Sequence, residues 1–314
     1  HAKKGRKKRA VPGLDKYHGQ DIYLTEALTL EMNAAITEAV AAKKPFLAYM
    51  SHYAVHAPFQ SDARFAGNYT DHNKRQAAFA TMIEGMDKSL GDMLDHLEKL
   101  GVAEDTIVLF LGDNGTDAPI GPTHEIACSA PLRGKKGTHY EGGMRVPFIA
   151  AWAKPQTKNR FQKKTPIQAN SINGSLGAVY DLFPTLLSFA GAKSPAKHPV
   201  DGINLRPLLS GKAGEPDREF LMHFPHSHRS SYFTAYRKGD WKLVYHYRSD
   251  GKIKWPLTEL FDLANDPYEA SNLSVAQPKK LREMMAAMTA SLQKAGAQYP
   301  LADDKKTLLK PTLN

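Results

Sequence analysis

Three short stretches carry side chains whose types and spacing suit chemistry. In "GDNG", Asp113 and Asn114 sit between two glycines, directly after an apolar run. Both offer hard oxygen donors, the kind that Ca2+ and Mg2+ prefer. The same letters also describe an ordinary Asn-Gly turn. Two oxygens are too few for Ca2+, which takes about six to eight, so further ligands must come from elsewhere. In "RGKKGTHYEGGMRVP" (133–147), Lys136 lies among glycines. There a backbone can approach a ligand closely while the ammonium lays a point charge on an oxyanion. The alternative is a solvated turn lysine. In "SHYAVHAP" (51–58), His56 precedes Ala57 and Pro58. It suits a general acid or a contact to an anionic group, against the alternative of a satisfied loop histidine.

These groups need elements to position them. Residues 24–43 place Leu28, Met32, Ile36 and Val40 at helical spacing. "KPFLAYMSH" predicts a short buried strand entered through Pro45. A long amphipathic helix is predicted over roughly 74–100, with Gly101 as its stop. "TIVLFLG" (106–112) and "VPFIAAW" (146–152) read as strands, and "YDLFPTLLSFAG" (180–191) as a helix ended by Gly191. Short apolar strands alternating with long helices predict an α/β fold, a mostly parallel sheet flanked by helices. In such sheets sites form beyond the carboxyl ends of the strands, where His56, Asp113, Asn114 and Lys136 all fall. After about residue 215 the texture changes. "REFLMHF", "SYFTAYR" and "WKLVYHY" are short strand-like runs, the last two joined by the hairpin turn "KGD", and "PKKLREMMAAMTASLQKAG" closes the chain as a helix. The predicted division is a core over 1–214, with 1–20 as a basic loop or arm, and a smaller α+β subdomain over 215–314.

Composition sets the limits. The 314 residues carry a net charge of +10. The opening "HAKKGRKKRA" holds six of these charges, which leaves +4 for the rest (10 − 6). No aromatic residue interleaves with this run, so nucleic acid is not expected as a partner. No apolar stretch is long enough for a transmembrane helix. The single cysteine, Cys128, excludes an internal disulfide framework and a multi-thiolate zinc site. Residue 1 is His and no signal-peptide pattern follows, so the chain reads as processed or truncated.

"GDNG" (112–115) together with "GKKGTHYEGGMRVPFIAAW" (134–152) resembles the sulfatase family of the alkaline-phosphatase superfamily. "YMSHYAVHAPF" is similar to that family's His-x-Pro segment. "YDLFPTLLSFAG", "DGINLRPLLSG", "GDWKLVY" and "ELFDLANDPYEASNL" match its later landmarks in order. The resemblance implies sulfate-ester hydrolysis by a formylglycine nucleophile with Ca2+, Mg2+ being the lesser candidate. It implies Asp113 and Asn114 as half of the metal ligand set, and Lys136 and His56 as contacts to the sulfate, with His56 helping to protonate the leaving alcohol. Glu141, Gly142, Gly143 and Arg145 are expected to brace the loop, with an ion pair between Glu141 and Arg145.

The nucleophile position has no counterpart. "CSAPLR" (128–133) follows the Asp-Asn pair, whereas the family's nucleophile comes well before it, so Cys128 is assigned no catalytic role. The chain is therefore expected to be the C-terminal portion of a longer sulfatase, inactive by itself, with the formylglycine in the missing N-terminal part. For the substrate, a sulfated carbohydrate is favoured over an aryl sulfate. "HFPHSHRSSYF" gathers His223, His226, His228 and Arg229 beside Tyr232 and Phe233, and "PTHEIACSAPLR" adds His124 and Arg133. The resemblance implies a periplasmic or extracellular location. Asn68, Asn173 and Asn272 each begin an Asn-x-Ser/Thr sequon. Two other readings stay open: a phosphodiesterase or phosphonate hydrolase of the same superfamily, and a non-catalytic relative that binds sulfated glycans.

Overall fold

The computed structural model describes residues 11–117, 129–226, 231–247 and 255–312. The chain divides into two compact units, His1–Val108 with Trp152–Asn159, and Leu109–Ala151 with Arg160–Asn314.

In the first unit, α1 (Leu24–Ala41) packs with α2 (Lys74–Lys99). Asn73 caps α2, its side chain accepting from the backbone N–H groups of Arg75 and Gln76, as the exposed donors of a first turn require. Ile36, Leu97 and Ala103 form the core, with Met32, Val40 and Phe46 against it. A buried hydrogen bond of 2.6 Å between Thr29 Oγ1 and Ser89 Oγ ties the two helices. The strand expected over "KPFLAYMSH" is not found: residues 45–51 belong to no strand, and Leu47 and Tyr49 are 76% and 81% exposed. The run is apolar enough for a sheet. A strand also needs a neighbour for its N–H and C=O groups, and among the described residues none pairs with it.

β1 (Ile107–Leu111) pairs with β2 (Phe148–Trp152) in a two-stranded sheet, and α3 (Glu141–Met144) is a single turn just before β2. The second unit continues through α4 (Arg160–Lys164), α5 (Leu182–Phe189) and α6 (Arg206–Leu209). It ends in an antiparallel sheet of β3 (Glu219–Phe224), β4 (Phe233–Lys238), β5 (Trp241–His246) and β6 (Thr258–Asp262), followed by α7 (Pro278–Lys294). The turn Gly239–Asp240 joins Lys238 to its partner Trp241, as the sequence predicts.

Strand alternation gives this sheet two buried faces. Tyr236, Leu243, Tyr245 and Leu260 pack under Met284, Met285, Met288 and Leu292 of α7. Phe233, Ala235, Val244 and Phe261 lie on the other face, where Tyr140 and Met144 cover them. That second face is what holds the loop before β2.

Candidate active site

β1 ends at Leu111, and the chain turns through Gly112, Asp113, Asn114 and Gly115. Three backbone hydrogen bonds stitch this turn to the loop before β2. Gly112 N–H donates to Pro147 O at 3.1 Å, Gly115 N–H to Gly143 O at 3.0 Å, and Lys136 N–H to Thr116 O at 2.8 Å. The structure thus brings Asp113, Asn114 and Lys136 into one pair of neighbouring loops. The contact is too close for any side chain. A Cβ on Gly115 would stand 2.2 Å from Gly142 O, and one on Gly142 2.6 Å from Arg133 O. The glycines are there so that backbone can touch backbone.

Asp113 is exposed, while Asn114 and Lys136 are half-buried. Among the described residues no cation pairs with Asp113 and no carboxylate pairs with Lys136. Asp113 and Asn114 offer hard oxygen donors, and Lys136 offers an ammonium. The donor set fits part of a Ca2+ shell and falls short of a complete one.

The charge in the loop serves mostly to hold it. Glu141 is buried and accepts from Arg145 Nε at 2.6 Å, the pair expected from the sequence, and from Lys242 Nζ at 2.9 Å. Lys242 is buried as well and reaches Glu269 Oε1 at 2.7 Å, while Glu269 Oε2 accepts the Glu141 N–H at 2.6 Å. Burial opposes the Glu141 charge, but Lys242 and Arg145 outweigh it and hold the carboxyl at about 2. Among the described residues Lys242 is the one counter-charge of Glu269, and burial raises the Glu269 pKa.

A second buried cluster joins the same loop to the sheet. The Nε2 atoms of His139 and His246 lie 3.1 and 2.9 Å from the same oxygen, Glu259 Oε2. The Tyr140 hydroxyl donates to Glu259 Oε1 at 2.9 Å, and Ser231 Oγ bonds His246 Nδ1. Burial, partly offset by the bond to Glu259, lowers the His139 pKa to about 4. Neither this cluster nor Lys242 and Glu269 figured among the residues singled out from sequence. His139 and Glu259 stand 120 positions apart, so no local spacing connects them.

The remaining predicted residues are placed as follows. His56, in the first unit, is exposed, and its Nδ1 bonds Ala57 O at 2.8 Å. Arg133 donates to Glu269 O at 2.8 Å and lies over the Tyr140 ring at 3.9 Å, so it supports the loop. His226 is exposed against Phe224 at 4.0 Å. His223 is held on both sides, by Thr234 Oγ1 at 2.8 Å and Gln298 O at 2.6 Å, and is not free for a ligand. His124, Cys128, His228 and Arg229 lie outside the described residues. Ser129 heads the run Ser-Ala-Pro-Leu-Arg, a Ser-x-Pro-x-Arg pattern. Its hydroxyl donates to Gly134 O at 2.9 Å, which closes the turn.

A family model described as Sulfatase matches residues 7–192, and one described as N-sulphoglucosamine sulphohydrolase, C-terminal, matches residues 135–298. The chain is 31% identical over 287 residues to a sulfatase of Formosa agariphila, covering 83% of this chain and 48% of that protein. It is 28% identical over 285 residues to steryl-sulfatase of Mus musculus, covering 83% and 43%. The solved structure of Ps i-CgsB in complex with k-i-k-neocarrahexaose superposes with a TM-score of 0.70 at 26% identity, over 86% of this chain and 55% of that one. The chain spans about half the length of the curated relatives it matches.

Proposed function

This chain belongs to the sulfatase family, with its alkaline-phosphatase-like α/β fold, and from that premise we propose that the whole protein hydrolyses sulfate esters of carbohydrates. The observation that carries this reading is the stitching of the Lys136 loop to the Asp113–Asn114 turn through Lys136 N–H and Gly115 N–H. It joins the backbone of the loop that carries Lys136 to the turn that carries Asp113 and Asn114, and an ammonium with hard oxygen donors is the set of charges that a sulfuryl group and a divalent cation require.

The reaction cleaves a sulfur–oxygen bond, with water converting the ester to an alcohol and sulfate. Negative charge develops on the bridging oxygen and remains on the sulfuryl oxygens. Lys136 is assigned to that charge; its backbone is fixed to Thr116 O before the substrate arrives, and preorganised charge is where electrostatic catalysis gains most. His56 is assigned to protonate the leaving alcohol. With Nδ1 committed to Ala57 O, its Nε2 is the nitrogen that can pass a proton. Asp113 and Asn114 would hold Ca2+, which when bound supplies further positive charge at the sulfuryl oxygens. The nucleophile proposed from the resemblance is a formylglycine, to which no residue of this chain is assigned.

The sugar reading draws on the N-sulphoglucosamine sulphohydrolase match over residues 135–298 and on the relative solved with a neocarrahexaose. His226, His228, Arg229 and His124 are proposed contacts to an anionic sugar, with Arg133 reaching it through the loop it supports. A periplasmic or extracellular location is part of the same proposal. The test is sulfate release by the full-length protein from sulfated oligosaccharides, measured by ion chromatography beside phosphodiester and phosphonate substrates of matched size. We expect sulfate release to dominate, and Lys136→Ala to lower kcat/KM by about 10²–10³-fold. Preferred cleavage of the phosphodiester would replace this reading with the phosphodiesterase one.

A further inference from the structure

We propose that His139, His246 and Glu259 form a zinc site that fastens the Lys136 loop to the antiparallel sheet. Nothing in the sulfate-ester chemistry requires it, and its donors differ in kind from Asp113 and Asn114. Two imidazole nitrogens and one carboxylate oxygen are a borderline set that suits Zn2+, whereas Ca2+ and Mg2+ take oxygen alone.

The geometry supports the assignment. With metal–ligand bonds of about 2.0–2.1 Å, the edge of a tetrahedral zinc shell is roughly 3.3 Å. The edges from Glu259 Oε2 to His139 Nε2 and His246 Nε2 are 3.1 and 2.9 Å, and all three ligand atoms lie within 4.8 Å of one another. Small movements therefore open a shell that is already gathered. Both imidazoles are fully buried and Glu259 is 4% exposed, so the charge would be shielded from water.

The surroundings leave Glu259 Oε2 to the imidazoles. The neighbouring lysine, Lys242, is committed to Glu141 and Glu269 at 2.9 and 2.7 Å. Arg133 stands 3.9 Å from the other oxygen, Oε1, which also accepts from Tyr140. The outer contacts are those that orient metal-bound histidine. Ser231 Oγ meets His246 Nδ1 and can accept its proton when Nε2 turns to a metal, and Trp255 stacks on the His246 ring at 5.5 Å. A water molecule is the natural fourth ligand.

The test uses the full chain without an affinity tag, purified without chelators and equilibrated with Zn2+ in excess Ca2+. Mass spectrometry of metal content after gel filtration is expected to show stoichiometric zinc. Co2+ in its place should give the visible absorption of a tetrahedral site, and zinc should raise the thermal midpoint. Ser231→Ala removes only an outer contact and is expected to weaken zinc about 10–100-fold. Glu259→Gln should abolish binding, and Asp113→Asn should leave it intact, which separates this site from the catalytic reading. If the wild-type chain retains no zinc, the cluster is held by hydrogen bonds alone and the proposal fails. It fails equally if Ser231→Ala and Glu259→Gln bind zinc as the wild type does, since the ion then sits elsewhere.

Discussion

Glu141 is the residue on which the loop's charge closes. It faces Arg145, Lys242 and Arg237, at 2.6, 2.9 and 3.7 Å. Glu141→Gln would keep the shape of the side chain and strand the buried Lys242 with Glu269 as its remaining partner. Removing one member of a buried ion pair costs about 3–5 kcal/mol, so denaturant unfolding of this variant should show a loss of that order. An unchanged midpoint would mean that the network holds nothing. The Arg145 partner was expected because the resemblance made Glu141 and Arg145 braces of the loop, and the helical turn found there brings side chains four positions apart together. Lys242 and Glu269 were not legible, since they approach Glu141 from 101 and 128 positions away.

At the level of elements, periodicity located the helices and most strands, and two places show its limits. In "WKLVYHY" strand alternation puts Leu243, Tyr245 and Tyr247 on one face and Lys242, Val244 and His246 on the other. The structure buries both, because the loop over 138–144 covers the second face and supplies partners for its charge. A polar face can be buried when every group on it is paired, and strand spacing alone carries no sign of that. "KPFLAYMSH" failed in the opposite sense, apolar in pattern yet without a ladder partner among the described residues. The contact between the Asp113 turn and the Glu-Gly-Gly turn also belongs to this scale. Gly115→Ala would force a methyl to within 2.2 Å of Gly142 O. We expect it to cost about 1–3 kcal/mol, as overpacking does, and to lower sulfate release more than a surface substitution of equal stability cost, because the shift is passed straight to Lys136.

At the scale of the whole chain, the 314 residues carry a net charge of +10, which favours adsorption to polyanions. Retention on immobilised sulfated polysaccharide should fall steeply with salt, since the Debye length shrinks from about 30 Å at 0.01 M to about 8 Å at 0.15 M. Deleting residues 1–10 takes away six positive charges and leaves +4. The shortened chain should elute at distinctly lower salt, and an unchanged elution would place the binding in a local site instead. The brace beneath the Lys136 loop also has a consequence in time. Glu269 is made 128 residues after Glu141. At roughly 5–20 residues per second the ribosome needs on the order of 6–26 s to cover that distance. For that interval every newborn copy carries the lysine loop without its final support, and any copy whose synthesis stops short of Glu269 never gains it.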